Sequence, residues 1–308
     1  MQSIISLTKL PSLFNLYLGS LLKRKPRIQP TATASTTPTL KISTQINTRQ
    51  LTQYTSLCGV DSNQTSIPIF YPQVMAFKLH LLLLLNKSLP FPVMGLVHKS
   101  NDVTYLKAIK PTDPLEIKVG LESLEKQENG TDCHIFTHVY VNGELHWTAI
   151  STYFYRAPKN NNQQSQKNKS ASTLKPQLTP YSNKALWQLP RNLGRKYAFI
   201  TGDLNPIHLS SLTAKLFGFK KTIIHGMFLA AKVANEILPK EAVFPSRIDL
   251  QFKRPVFLPN QVEFRHSNTR FQLYPILDSK DQNTPMLLGK VEYHNKPDTQ
   301  LAPKNQTN

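Results

Sequence analysis

Cysteine is nearly absent: Cys58 and Cys133 are the only two in 308 residues. That excludes a disulfide framework and a cysteine-based metal cluster, and makes a reducing compartment, the cytoplasm, the natural setting. Acidic residues are also few, 18 against 37 Lys and Arg, which leaves a net charge of +19. The basic excess is dispersed, its densest clusters being Lys23-Arg24-Lys25 and Lys220-Lys221, and no aromatic-basic interleaving or nucleic-acid module accompanies it. No nucleic-acid partner is expected. A basic field suits instead CoA phosphates, acyl carrier protein or acidic lipid headgroups, or is simply a solvated surface. There is no glycine-rich phosphate loop and no metal-ligand spacing, so neither a cofactor nor a metal is expected. Long apolar runs are missing as well. Lys9, Pro11 and Asn15 break residues 1–22, and basic residues follow that stretch rather than precede it, contrary to a secretory signal. It reads as a packed or surface-lying amphipathic segment, without a transmembrane span but with weak membrane-surface association as an option.

What is present falls into two similar halves. Residues 49–58 read as a helix, 66–72 as extended and 73–86 as a very apolar helix carrying Leu81 to Leu85. Four strand-like runs follow at 95–107, 115–125, 132–141 and 144–155, the last two joined by the hairpin signal Asn142-Gly143. Residues 159–179 are rich in Asn, Gln, Lys and Ser and read as a solvated linker. The order then repeats: a helix at 226–238 is followed by strand candidates at 246–254, 261–273 and 286–294. A weak internal echo supports duplication. Tyr105-x-x-Ala108-Ile109 matches Phe252-x-x-Pro255-Val256 at a constant offset. A long helix followed by an antiparallel meander is the layout of a hotdog, and two of them give an α+β double hotdog: two antiparallel curved sheets, each wrapped around a long helix and paired within one chain. The expected divisions are an N-terminal amphipathic and flexible segment (1–48), a first half without catalytic residues (49–157), a linker (158–180), a catalytic half (181–297) and a frayed tail (298–308).

The halves differ in residues 197–238, where Gly202-Asp203-Leu204-Asn205-Pro206-Ile207-His208 precedes Ile224-His225-Gly226-Met227. Asn205 caps and Pro206 fits the first position of a helix, which places His208 in its first turn. Asp203 lies on the incoming loop, and a loop folded back over a helix start aims both at one point. The helix start is expected to disfavour the imidazolium form of His208, while Asp203 favours it. A carboxylate and an imidazole converging on one water move protons in both directions, as hydration of a double bond requires. Gly226 opens the second helix, so its N–H suits an oxygen that gains charge. The first half, whose approximate counterpart is residues 68–72, has no such cluster. Its His80 and His98 read as core or edge histidines, and Leu81 to Leu85 as core or pocket lining.

The pattern Y-x-x-x-x-G-D-x-N-P-I-H followed by I-x-H-G-M resembles the signature of the MaoC-like, (R)-specific enoyl thioester hydratases (hydratase 2 type) of the hotdog superfamily. The resemblance implies a hydro-lyase of fatty-acid metabolism with Asp203 and His208 as catalytic pair, Asn205 and Gly202 in support and Gly226 as oxyanion donor. Many members carry a small hydroxyl residue where this chain has Ala234. The implied reaction is reversible hydration of trans-2-enoyl thioesters to (3R)-3-hydroxyacyl thioesters, the substrate being carried by CoA or acyl carrier protein, without metal or cofactor. The alternatives are a hotdog thioesterase or a non-catalytic acyl-thioester-binding module. Two hotdogs in one chain can pair with each other, so either a monomer or a homodimer is compatible. Lys220, Lys221, Lys253 and Arg254 are basic residues near the motif without an assigned role.

Overall fold

The computed structural model describes residues 3–22, 33, 37–61, 64–93, 95–157, 181–238, 246–276 and 284–293. The expected linker at 158–180 and tail at 298–308 lie outside these.

Eleven strands form one continuous sheet, into which the two expected sheets merge. The first half contributes β2 (Thr39–Thr44), β3 (Val97–Tyr105), β4 (Leu115–Gln127), β5 (Gly130–Val141) and β6 (Glu144–Arg156). The second contributes β7 (Asn183–Leu189), β8 (Ser246–Phe252), β9 (Asn260–His266), β10 (Arg270–Pro275) and β11 (Leu287–Tyr293). With β1 (Ile4–Leu7) at one edge, the order is β1-β2-β4-β5-β6-β3-β8-β11-β10-β9-β7. The order reads the same outward from the β3–β8 pair: β6, β5, β4, β2 on one side and β11, β10, β9, β7 on the other. The halves join antiparallel there, Tyr105 opposite Ser246 and Asn101 opposite Leu250.

Alternation explains most of the strands. Along β5 the even positions from Asp132 to Tyr140 interleave with buried Cys133, Ile135, Val139 and Val141, as a sheet with one covered face requires. Asn142 and Gly143 both take positive φ, 50° and 82°, and close the β5–β6 hairpin as their sequence promised. Two expectations change. Residues 261–273, read as one strand, are the hairpin β9–β10, whose turn is held by the Ser267 Oγ acceptor rather than by glycine or proline. Thr39–Thr44, inside the segment expected to be amphipathic and flexible (1–48), is a strand paired with β4.

The helices cover the sheet. The apolar helix α3 (Tyr71–Leu84) begins two residues earlier than expected, with Pro72 in its first turn. Ala76, Leu79, His80 and Leu83 are all buried along it, and a helix apolar on every side belongs in a core. Its counterpart is α6 (Gly226–Ile237). Two shorter helices, α2 (Thr48–Cys58) and α4 (Leu193–Thr201), pack beside them, with the rings of Tyr54 and Tyr197 6.2 Å apart. Both end on a glycine in the left-handed region, Gly59 at φ 75° and Gly202 at φ 80°, a conformation costly for any residue with a Cβ. Two matching contacts mark the duplication: Ile67 N–H donates to the Ile109 carbonyl and Ile224 N–H to the Val256 carbonyl, each at 2.9 Å. The N-terminal helix α1 (Leu13–Leu22) lies on this layer, Leu13 against Gly202 and Gly19 against Leu85.

Candidate active site

The shared glycine cap shows how the site arose. In the first half Val60 follows Gly59; in the second, Asp203 follows Gly202. Val60, rather than residues 68–72, is therefore the counterpart of Asp203, and 68–72 matches the start of α6 instead. The second half's connection, residues 203–225, is far longer than residues 60–70. That extra chain carries Asn205, His208 and the short helix α5 (Ser211–Leu216).

Asn205 caps as expected, its Oδ1 accepting from Ile207 N–H at 3.4 Å. It caps only a single 3-10 turn, Pro206–His208, with His208 in the last place. Three residues generate no helix dipole worth invoking, so the expected electrostatic cause does not operate. Burial lowers the His208 pKa instead, with Asp203 pulling it back up. His208 Nδ1–H donates to the Ile223 carbonyl at 2.8 Å. A carbonyl only accepts, so the tautomer is fixed and Nε2 carries the free lone pair.

Asp203 faces the same space. Its Oδ1 accepts from Asn205 N–H at 3.3 Å and from the Tyr17 hydroxyl at 3.4 Å. Its side chain is 29% exposed, toward a cavity it lines with His208. Burial raises its pKa, opposed by His208 and by these hydrogen bonds. Asp203, His208 and His225 each bring one ligating atom within 4.8 Å of the others. Such a trio suggests a metal site, but the rings of His208 and His225 stack, centroids 3.6 Å apart and planes 25° apart. Their in-plane lone pairs run side by side rather than toward one point, which does not suit chelation. His225 Nε2–H donates to the Asp203 carbonyl at 2.9 Å, so it holds the loop that carries the carboxylate. Burial, then the neighbouring His208, keep His225 strongly biased to the neutral form.

Gly226 opens α6, and its N–H is among the first-turn donors that lack a partner within the helix. A Cβ there would stand 2.6 Å from the Phe252 ring, so a side chain would have to displace the ring packed on the head of α6. The cavity, about 600 Å³, extends from these groups along α3, past Val74, Phe77, Leu81 and Leu84. Of the five leucines, then, Leu81 and Leu84 line it, and Leu85 lies under α1. Lys253 and Arg254 line it with Arg156, whereas Lys220 and Lys221 are exposed outside it.

Sequence reasoning missed Tyr17 and the role of His225. His225 was visible inside I-x-H-G-M; Tyr17 reaches Asp203 from 186 positions away, and no local pattern announces it. Tyr17→Phe removes a bond that favours the carboxylate. It is expected to cost about 1 kcal/mol, roughly fivefold in turnover. The acid limb of the rate profile should move to higher pH, because Asp203 then holds its proton more tightly. A pH–rate series on the variant checks both.

His80 and His98 also border the cavity. His80 bonds Thr137 Oγ1 at 2.7 Å and the Tyr153 hydroxyl at 3.1 Å, and His98 stacks on Tyr153. Burial pushes His80 down to about 3 and His98 to about 4. Unfolded, both titrate near 6.5. Between 6.5 and these values the unfolded chain binds protons that the folded one does not, so stability is lost as the pH is lowered and regained as it rises. The expected slope is about 1.4 kcal/mol per pH unit for each such histidine. Urea unfolding at pH 7 and pH 5 measures it, and His80→Gln should reduce the slope.

Comparison with known proteins gives the family. Residues 164–276 match the family model described as MaoC like domain. The chain is 33% identical over 195 residues to 3-hydroxyacyl-thioester dehydratase X of Mycobacterium tuberculosis, covering 63% of this chain and 67% of that protein. The chain belongs to the MaoC-like dehydratase family. This MaoC-like chain is also 33% identical over 69 residues to an (R)-specific enoyl-CoA hydratase of Aeromonas caviae, covering 21% of this chain and 52% of that one. The crystal structure of HtdX from Mycobacterium tuberculosis superposes with a TM-score of 0.67 at 25% identity, over 82% of this chain and all of the other. The fold is thus a double hotdog and the family one of hydro-lyases. Among the described residues no helix is long and apolar enough to cross a membrane.

Proposed function

We propose that this MaoC-like protein reversibly hydrates trans-2-enoyl thioesters to (3R)-3-hydroxyacyl thioesters in fatty-acid metabolism. The acyl group is carried by CoA or acyl carrier protein. The observation that carries this reading is the convergence of Asp203 and the free Nε2 of His208 on one cavity, beside the head of α6. In hydration, one water rests between the carboxylate and the imidazole. Its oxygen bonds to C3 as His208 Nε2 takes a proton, and the pair returns a proton to C2, so that water's OH and H end on adjacent carbons. The C2–C3 π electrons move toward the thioester oxygen, which gains enolate charge and is held by the Gly226 N–H. Dehydration runs the same steps backwards. Asn205 keeps the turn in register, and His225 fixes the Asp203 backbone.

The proposed chemistry is complete with these side chains and water, and needs no cofactor. The apolar wall of α3 suits an acyl chain, and the basic groups Lys253 and Arg156 at the cavity suit an anionic carrier.

A short enoyl-CoA separates the possibilities. Loss of conjugated-enoyl absorbance without released thiol is expected. Thiol release would make the protein a thioesterase, and silence across chain lengths and carriers would leave it a binding module.

A further inference from the structure

The inner face of α1 belongs to the active-site layer. Leu16 and Ser20 are buried, and Tyr17 and Ser20 line the cavity. Its outer face is the reverse of what a soluble protein presents. Phe14 is 74% exposed, Leu18 44%, Leu21 66% and Leu22 69%, at the spacing of one helical stripe. The helix contains no charged residue, and a helix apolar on all sides is ordinarily covered on all sides. α5 adds Leu212 at 75% and Leu216 at 79%, and Phe217, just beyond it, lines the same cavity.

Charge decides what covers this surface. Exposed Lys9 precedes α1, and the sequence directly after it reads Lys23-Arg24-Lys25-Pro26-Arg27. The first 60 residues hold seven Lys or Arg and no Asp or Glu. Lys215 stands between Leu212 and Leu216, and exposed Lys220 and Lys221 follow. An apolar helix with cations before and after it in sequence fits a membrane interface, where acyl chains take the one and anionic headgroups the other. A second copy of the chain fits poorly, because it would bring two borders of the same sign together.

We propose that α1 docks the protein on an anionic phospholipid surface, with Phe14, Leu18, Leu21 and Leu22 in the headgroup–acyl boundary. The cavity that Tyr17 and Ser20 of this helix line then lies beside the lipid phase. Docking itself is independent of the reaction. Its benefit, delivery of long and poorly soluble acyl thioesters, rests on the proposed hydratase activity.

The test is co-sedimentation of the full chain with phosphatidylcholine vesicles, with and without phosphatidylglycerol. Binding is expected with the anionic vesicles, weakening as salt rises, and little binding with phosphatidylcholine alone. The Leu21→Asp, Leu22→Asp double variant should bind roughly tenfold more weakly or worse. Thermal stability and hydration of a short soluble enoyl thioester should stay unchanged, since neither side chain contacts the site. Phe14→Ser, a milder change, should weaken binding in the same direction. The proposal is overturned if the wild type ignores anionic vesicles, or if both variants bind as well as it does. It is also overturned if light scattering shows that the variants dissociate a dimer while lipid binding is untouched. Vesicle binding without short-chain hydration would defeat the hydratase reading alone; hydration without vesicle binding would defeat this one alone.

Discussion

Asp203→Asn and His208→Ala are each expected to lower turnover at least about a hundredfold, the usual cost of a lost general acid or base. The two differ in stability. Asparagine keeps the shape of Asp203, whose side chain faces the cavity, so that variant should unfold like the wild type. His208→Ala leaves the Ile223 carbonyl without its donor and His225 without its stacking partner. A loss of about 1–3 kcal/mol is expected, so its rate must be referred to the folded fraction. In the proposed mechanism the two groups act on one water, so the double variant should be little worse than either single one. The neutral imidazole, whose pKa burial depresses, persists below the ordinary histidine range. The part of the acid limb of kcat/KM that reports His208 should accordingly lie below 6.5, beside the part that reports Asp203. Near wild-type turnover in either single variant would remove the pair from the mechanism.

Gly226→Ala keeps the backbone N–H but, where the new methyl pushes the head of α6 away from the cavity, is expected to cost up to about a hundredfold in kcat, the scale of losing one oxyanion donor. The new methyl would meet the Phe252 ring at 2.6 Å, and that ring also lies against His98. Either the ring or the head of α6 must move, at about 1–3 kcal/mol of stability. The split between constants is diagnostic. An N–H that grips the oxygen only as charge develops shows in kcat far more than in KM. A variant that is less stable but turns over normally would show that the Phe252 ring, and not the head of α6, had moved.

The legible parts of this chain are those where period and turn chemistry agree. β4, β5 and β6 were visible within a few residues because apolar positions alternate and Asn142-Gly143 marks the turn. β2 was hidden by the Thr, Ser and Pro content around it, although its alternation places Leu40 and Ile42 in the core. The β9–β10 turn was hidden for the opposite reason, since no glycine or proline interrupts the run. At the site, Asp203, His208 and Gly226 could be read as a motif because they lie close together in sequence. The electrostatics could not. Whether His208 heads an α-helix or closes a single 3-10 turn depends on how residues 209–225 pack, and that decides whether dipole or burial sets its pKa. Long-range partners were likewise invisible, Tyr17 above all. The duplication was legible only faintly, as a repeat of spacing, until the sheet order displayed it.

The most direct test of the proposed hydration is the fate of isotopic oxygen. An enoyl thioester is incubated with the protein in ¹⁸O-water and the product analysed by chiral chromatography and mass spectrometry. The account predicts label in the C3 hydroxyl of the (3R) product, with the thioester intact. Label in a free carboxylate would contradict it, as would a product of (3S) configuration.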